Sequence, residues 1–565
     1  MAYDGSAYDG HIPRIISQHE QDIVQDALAE FSELQLYRSN FAAQWEEVAE
    51  LILPSQRNTF FYQNTNMPGS KKTDRQIDAT GMMALNRFAA ICDSLLTPRN
   101  SFWHGLEAND DYVMKDRATR LWFEQVSRLL FRFRYSPEGN FSANNQAVFQ
   151  SLGAFGTGCM FVDEFDGKLT NTRGLRYKAL PIGEVFLREN HQGLVDGYIR
   201  WFQLTARQAE QRWKGMLPAS LHAALEKKSE AKFNFLHRVC PRTDYDEERL
   251  DAKGKPWSSC YVSIEGQCIM GEEGGYNSFP ITASRYDQAP NEIYGRGPAM
   301  QILPALKTLN AQKRTFLKQA HRAADPVLLL ADDGIMDFNL RPGAMNKGGM
   351  SSDGKPLVGV LPTGDIQVSK EMMDVEHQLI NDAFLVTLFQ ILTETPQMTA
   401  TEVIERTNEK GILLAPTVGR QQSEYLGPLI DRELDLLASQ GLLPPMPPRL
   451  KEAKGEYKVV YTSPLSRAAK AQEAAGFMRT VESVKELVSI TQDVSLLDRF
   501  DFDTAIPAIA HIAAVPESWL ADDDKVAAKR KRRAEAAQRQ EQIQAAPAAA
   551  ALAKANIEAR KANPQ

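Results

Sequence analysis

The eight residues GMSSDGKP, Gly349 to Pro356, carry the G-x4-G-K spacing of a phosphate-binding loop. In such a loop the backbone N–H groups wrap the phosphates and the lysine reaches toward them. The chemistry also needs a Ser or Thr after the lysine to hold magnesium, and a helix whose positive N-terminus faces the anion. Here Pro356 takes the hydroxyl position, and the following LVGVLP reads as a strand. A chance match is the favoured reading, and a nucleotide-dependent enzyme built on Gly349 to Lys355 is the alternative. A second stretch, SLGAFGTGCMFVDE, packs Gly153, Gly156 and Gly158 into six residues. Upstream, NFSANNQAVFQSLGAF has Ala147, Val148 and Leu152 at helical spacing, with Ser142 or Asn144 as its cap. Downstream, CMFVDE reads as a strand. Glycines at the C-terminus of a helix meet outward carbonyls, which repel phosphate, so this stretch is expected to be a left-handed corner.

No other residues nominate a reaction. The nine histidines are scattered, with no HExxH and no close His/Cys cluster, so no metal site is expected. His321 and His377 sit in expected helices as packing or surface residues. There is no GxSxG elbow. The acidic pairs Asp110-Asp111 and Asp332-Asp333, and Asp522 to Asp524, fall at element ends and read as caps or solvated loops. No cofactor is expected.

The elements that would position any site belong to a long, mixed chain. Its 565 residues imply two to four domains, and 43% hydrophobic with 24% charged residues is ordinary for a globular protein. A formal charge of −7 excludes a protein that coats nucleic acid over its whole surface, and leaves room for a local basic patch. Five dispersed cysteines without a CxxC pair fit reduced thiols. The start MAYDGSAYDGHIPR lacks the pattern of a signal peptide, and PVLLLA is far too short to span a membrane, so no membrane insertion is expected.

Amphipathic periodicity predicts helices over 20–53, 76–96 and 112–133. Period-2 runs predict strands over 159–163, 176–180, 184–187, 197–202, 233–239 and 259–264, with short helices inserted between 205 and 225. Two further helices, 298–323 and 371–393, enclose a glycine-rich, β-containing module. Thr399 and Glu402 have capping-box spacing and start another helix, interrupted at Gly411, Pro416 and Gly427-Pro428 and ending near Ser439. A strand over 457–461 and a helix over 465–490 follow. The tail from Asp522 has almost nothing large to bury, and is an exposed helix or disordered.

The helix 298–323 carries the most specific signal. At 100° per residue, Lys307, Arg314, Lys318 and Arg322 fall within roughly 80° of one another. Ile302, Leu306, Leu309, Phe316, Leu317 and Ala320 lie opposite, and Lys313 breaks that apolar face as a salt bridge or subunit contact. The basic stripe is either a solvated surface or a rail for a polyanion read through its phosphates. KRKRR, Lys529 to Arg533, is a contact for DNA or an acidic partner, or a solvated face beside Glu535 and Glu541.

Six segments together resemble the portal proteins, or head-to-tail connectors, of short-tailed bacteriophages. They are MMALNRFAAICDSLLTPRNSFW, FQSLGAFGTGCMFVDE, EIYGRGPAMQILPALKTLNAQ, TPQMTATEVIERTNEK, GRQQSEYLGPLIDREL and YTSPLSRAAKAQE, in order over about 400 residues. The resemblance implies an α+β, mainly helical portal fold with wing, stem, clip and crown. Residues 1–297 would be wing, 298–323 the first stem helix, 324–370 the clip and 371–393 the second stem helix. Residues 394–500 would hold the tunnel loop and wing/crown helices, and 501–565 the crown or a helical barrel with the tail. It further implies a homo-oligomer of twelve subunits at one capsid vertex, a structural conduit and not an enzyme. Double-stranded DNA would pass its channel without sequence specificity during packaging and ejection. Partners would be the terminase large subunit, tail adaptors, and major capsid and scaffolding proteins. On this resemblance Lys307, Arg314, Lys318 and Arg322 are candidate channel residues, and Glu394, Thr395, Pro396, Gln397, Met398 and Thr399 the candidate tunnel loop. Another phage tail-adaptor ring is the second alternative.

Overall fold

A computed structural model of the chain describes residues 17–61, 69–165, 173–330, 339–347, 349–362, 364, 366–387, 416–461, 464–491, 499–512, 515, 519–522, 524–540 and 554–555. These form two units, Met1–Phe102 with Leu130–Leu443, and Trp103–Leu129 with Pro444–Gln565. The architecture is α+β and mainly helical.

The first unit is organised by the helix Gln18–Leu51. Ser17 caps it by accepting from the Glu20 N–H, while the Glu20 carboxylate accepts from the Ser17 N–H. Its buried positions Val24, Ala27 and Phe31, then Phe41, Trp45 and Val48, repeat at three and four residues, so one stripe is buried along the helix and is apolar except at Arg38. The first half of that stripe covers one face of an antiparallel six-stranded sheet, meeting Phe186, Ile199, Leu236 and Val262. That sheet orders Val185–Glu189, Val195–Thr205, Lys232–Pro241, Trp257–Ser263 and Cys268–Ile269, with Gly274–Tyr276 paired beside Trp257–Ser263. Strand residues alternate faces, so Phe202 and Phe235 pack on the other side against Trp213, Leu217 and Leu221 from the short helices Ala206–Arg212 and Ala219–Glu226. The second half of the stripe enters the largest core, where Trp45 meets Tyr294 edge-on at 5.1 Å and Phe60 meets Phe155 likewise at 5.1 Å.

Arg38 is buried in the middle of this helix, and among the described residues no carboxylate pairs with it. Its guanidinium instead donates to the carbonyls of Ile182, Val185 and Phe60 and lies 3.6 Å from the Phe186 ring centre. Burial, partly offset by Tyr294, holds it down at about 10.

A three-stranded sheet places Thr157–Glu164 between Ile281–Arg285 and Leu175–Leu180. Two rods leave the same core. The first, Leu303–Ala324, buries Leu303, Leu306 and Leu309; the second, Ile366–Ala383, buries Met373 and Ile380. They run antiparallel. Near the core Asn310 Oδ1 accepts the N–H of Asp78, and His377 of the other rod lies 3.4 Å from the Asp78 carboxylate. Further out, Ser369 donates to Gln319 at 3.1 Å.

The second unit pairs His104–Ala108 with Tyr457–Tyr461 as an antiparallel ribbon, His104 opposite Tyr461. Trp122 donates its indole N–H to the Pro444 carbonyl at 3.1 Å. The helices Pro464–Thr491 and Phe502–Ile512 follow, then residues 524–540 as a helix.

Several expectations are corrected. The expected helix 298–323 is two, Pro298–Gln301 and Leu303–Ala324, with Ile302 off helical geometry. Pro304 has no N–H for the Met300 carbonyl, and its ring would clash there. The expected helix 371–393 begins earlier, at Ile366, and breaks after Ala383, so the enclosed module stops before Lys370; residues 386–387 are helical again, and 388–393 lie outside the described residues. Leu385, at φ +61°, turns the chain where no Gly or Pro marks the break. The region 112–133 divides at Lys115 into Asp111–Met114 and Arg117–Arg134, while Asp110 is the cap its type implied. Neither Ser142 nor Asn144 caps Phe141–Phe155; Asn140, in left-handed geometry, precedes it, and Asn144 accepts from the Ala179 N–H instead. The strand His104–Ala108 was not expected at all. The capping box Thr399–Glu402 and the break at Gly411 lie outside the described residues.

Candidate nucleic-acid interface

The glycine corner closes as its order suggested. Phe141–Phe155 ends, Gly156 adopts φ +73°, its N–H returns to the Leu152 carbonyl at 3.0 Å, and Thr157 starts the central strand. Its partner is the turn before the first rod, GRG at Gly295 to Gly297. The Gly156 carbonyl accepts from Tyr286, and Gly295 donates to Thr157 Oγ1 at 2.9 Å. A Cβ on Gly156 would lie 2.3 Å from the Gly295 oxygen, and one on Gly297 would lie 2.7 Å from the Gly156 nitrogen. Backbone meets backbone here, and the stretch that looked like a phosphate cradle is the joint from which the first rod departs.

The other loop also spends its own donors. In GMSSDGKP, Ser351 N–H donates to the Lys355 carbonyl at 2.8 Å, Gly354 N–H to Ser351 at 3.0 Å, and Met350 bridges Pro356. The strand Val358–Val360 follows and pairs with Leu328–Leu330, so no helix N-terminus faces the loop. Among the described residues no group of three His, Cys, Asp or Glu is placed to hold a metal, and no described helix is long and apolar enough to cross a membrane.

All four candidate channel cations lie on the first rod, and all are exposed on the single chain. They are not equivalent. Lys307 reaches Glu47 at 2.7 Å, and Arg314 lines the same cleft with Glu47, Glu50 and Arg75, itself paired to Glu50 at 2.7 Å. Both ends of the Lys307 pair are half-exposed, where such a pair is worth at most about 1 kcal/mol, yet it neutralises the local charge. The unneutralised stripe is therefore shifted outward, toward Lys318 and Arg322. Among the described residues Lys313 has no buried salt-bridge partner; its ammonium lies 5.9 Å from the Phe316 ring centre. Leu317, expected on the buried side, is exposed. Glu394, Thr395, Pro396, Gln397, Met398 and Thr399 lie outside the described residues.

The second rod holds what sequence reading missed. Besides the core-facing Met373 and Ile380, Val368, Met372, Val375 and Leu379 recur at i, i+4, i+7 and i+11. They form a second apolar stripe within roughly 60° of arc. On the single chain these side chains are 52%, 55%, 68% and 49% exposed. The module between the rods repeats the pattern, with Leu329, Leu330, Val360 and Leu361 exposed along its two-stranded ribbon. The heptad-like spacing was readable in VSKEMMDVEHQL.

The helical segment that begins at residue 416 is held differently. Residues 416–421 are helical, Gln422–Leu426 form a π turn, and Gly427–Ser439 resumes the α-helix. Pro428 cannot donate to the Glu424 carbonyl, and the wider turn absorbs that loss. Arg285 clamps the π turn through Glu424, at 2.8 and 3.0 Å, and also contacts Glu189; Gln421 donates to the Arg285 carbonyl at 2.8 Å. One turn on, Glu433 is fully buried between Arg134, which donates Nε at 2.9 Å and pairs through Nη2, and the Tyr177 hydroxyl at 2.6 Å. Burial pulls the Arg134 guanidinium down, but the Glu433 carboxylate outweighs it and holds it above its usual value; burial and the same carboxylate push Tyr177 up.

Such rods, exposed apolar stripes and self-satisfied loops suit a structural protein, and among the described residues nothing in the site supports the enzyme alternative. Residues 24–520 match the family model described as bacteriophage head to tail connecting protein, and the chain belongs to that family. It is a structural portal or connector protein. It is 28% identical over 525 residues to a portal protein of Salmonella phage epsilon15, covering 89% of this chain and 90% of that one. It is 26% identical over 523 residues, with the same coverage of 89% and 90%, to a probable portal protein of Bordetella phage BPP-1. A chain in the virion of a native gene transfer agent particle is similar at 14% identity with a TM-score of 0.34, covering 72% of this chain and 86% of that one. A superposition that loose fixes no structural correspondence.

Proposed function

We propose that twelve copies of this chain form a ring at one capsid vertex, with a central channel through which double-stranded DNA is packaged and ejected. The observation that carries the reading is the outward stripe of the second rod. Val368, Met372, Val375 and Leu379 face solvent on a single chain, although burying each such side chain is worth up to about 1.5–3 kcal/mol. Rods already packed on their own core through Met373 and Ile380 can cover a second stripe only against a sibling, and repeating that contact around an axis closes a ring.

In this assembly residues 1–297 serve as wing, the two rods as stem and the module between them as clip. The segment 394–399 is the tunnel loop, and the helices beyond it are crown, with the tail as crown or barrel. Lys307, Arg314, Lys318 and Arg322 contact passing phosphates and not bases. The charge balance suits transport: Glu47 masks Lys307, and a few remaining cations attract duplex without gripping it. The terminase large subunit and tail adaptors dock on the ring in turn, and capsid and scaffolding proteins surround the wing. The purified protein is expected to give closed rings with a central hole in negative-stain images. A monomer that persists at high concentration overturns the proposal, and Met372→Glu with Val375→Glu is expected to produce that monomer while leaving the wing folded.

A further inference from the structure

The run KRKRR belongs to no part of the stem. In the second unit it lies on the helix 524–540, where Val526 is half-buried and every other residue is exposed. Seven Lys and Arg stand on these seventeen residues against two carboxylates, Asp524 and Glu535, in a chain whose formal charge is −7. Their arrangement is one-sided. At 100° per residue, Lys525, Lys529, Arg532, Arg533 and Arg539 fall within roughly 120° of arc. Asp524, Lys531 and Glu535 lie outside that arc. Arg530 lies outside it too, and it is the one that is spent: its guanidinium pairs with both oxygens of Asp503 on Phe502–Ile512, fixing the helix from behind. Among the described residues no carboxylate pairs with the five cations of the front face.

We propose that this face is a second binding site for double-stranded DNA, separate from the stem stripe and read through phosphates alone. The chemistry of the face selects the partner. Protein interfaces are anchored by aromatic and large apolar side chains, and 524–540 offers none beyond Val526. Alanines with long cations supply only Coulombic attraction and counterion release, which a polyanion rewards and a mixed protein surface does not. From Lys525 to Arg539 the cations extend over roughly 21 Å at 1.5 Å per residue, far enough to touch successive phosphates along one duplex face. The inference rests on the proposed function in one respect, the presence of duplex DNA at the assembly.

The test uses the assembled full-length protein and a labelled 30-base-pair duplex of arbitrary sequence, with anisotropy read across a salt series. Replacing Lys529, Arg532 and Arg533 with Gln is expected to weaken binding at least tenfold at 100 mM salt. The slope of log K against log salt should fall by about 3 for each helix in contact, near 0.9 per phosphate contact removed. Lys531→Gln, off the face, is expected to leave binding unchanged, and a second unrelated duplex is expected to bind equally. Undiminished binding by the triple variant overturns the site, including the case in which the helix instead captures an acidic protein. A Lys531→Gln effect equal to that of Arg532→Gln overturns the face assignment. Failure of the wild-type to form rings refutes the proposed function separately, because an unassembled chain still reports whether this helix binds duplex.

Discussion

Replacing Gly156 with Ala asks one methyl group to enter the joint between the glycine corner and the first rod. Two costs arise. A non-glycine residue in the left-handed region loses about 1–2 kcal/mol, and Gly156 sits at φ +73°. The new Cβ would also stand 2.3 Å from the Gly295 oxygen and 2.4 Å from the Gly297 nitrogen, backbone atoms that move only if the strand and rod move. Overpacking of this kind costs about 1–3 kcal/mol, so the total is about 2–5 kcal/mol. Gly153→Ala is the internal control. Its Cβ meets the ends of side chains, Leu85 Cδ1 at 2.7 Å and Phe88 Cδ1 at 2.8 Å, and its position inside the helix favours Ala by about 1 kcal/mol. Thermal melts followed by circular dichroism are expected to order wild-type, Gly153→Ala and then Gly156→Ala, with the last two separated by on the order of 5 °C. The Gly156→Ala/Gly295→Ala double variant should lose less than the sum of the singles, since both force open the same gap. A Gly156→Ala midpoint at or above that of Gly153→Ala would refute the joint.

Glu433→Gln leaves Arg134 charged in a dry core and is expected to cost about 3–5 kcal/mol by chemical denaturation, with Arg134→Met, Glu433→Leu and Tyr177→Phe together recovering most of it. His237 is buried between the Tyr198 hydroxyl and Ser259, and burial first, then Arg212 and Arg200, holds its imidazole well below the usual His range. Below about pH 6.5 the unfolded chain therefore takes up a proton that the folded chain refuses. Stability should fall with decreasing pH by up to about 1.4 kcal/mol per unit, and His237→Phe should remove one proton from that slope. On the first rod, Arg314→Glu with Lys318→Glu is expected to reduce DNA retained in particles while rings persist, and Lys307→Glu to do less because Glu47 already masks it; equal retention by all three places the stripe on the outer surface. Any ATP hydrolysis measured with the purified protein is expected to be unchanged by Lys355→Ala, and its loss would revive the phosphate-loop alternative.

Features written in local periodicity were legible in the sequence. The strands from Thr157 to Ser263 and the long N-terminal helix lie within a few residues of their expected bounds, because alternation and 3.6-residue spacing both report burial directly. The interruption at Gly427-Pro428 was visible for a chemical reason, the missing proline donor. The same reasoning applied to Pro304 would have found the break at Ile302, which the favourable Pro298 start concealed. Other features had no local signature. Arg38 looks like any charged helical residue until three carbonyls from distant segments surround it. Glu433 meets Arg134 across 299 positions, and Leu385 turns the chain without any residue that favours doing so. The candidate stripe on the first rod could be read from spacing alone, but its partial neutralisation by Glu47 could not, because that acid arrives from another helix 260 residues earlier.

The ribbon of the second unit has a consequence for biosynthesis. Among the described residues the strand partner of His104–Ala108 is Tyr457–Tyr461, whose codons come roughly 350 positions later in the message. At about 5–20 residues per second a ribosome needs about 20–70 s to deliver the complementary strand. During that interval a five-residue edge emerges on the nascent polypeptide without its strand partner. Crowded polysomes making many copies at once thus expose a sticky segment on each, and slower elongation or chaperone shortage should trap this protein as aggregates before the first unit itself ever fails to fold.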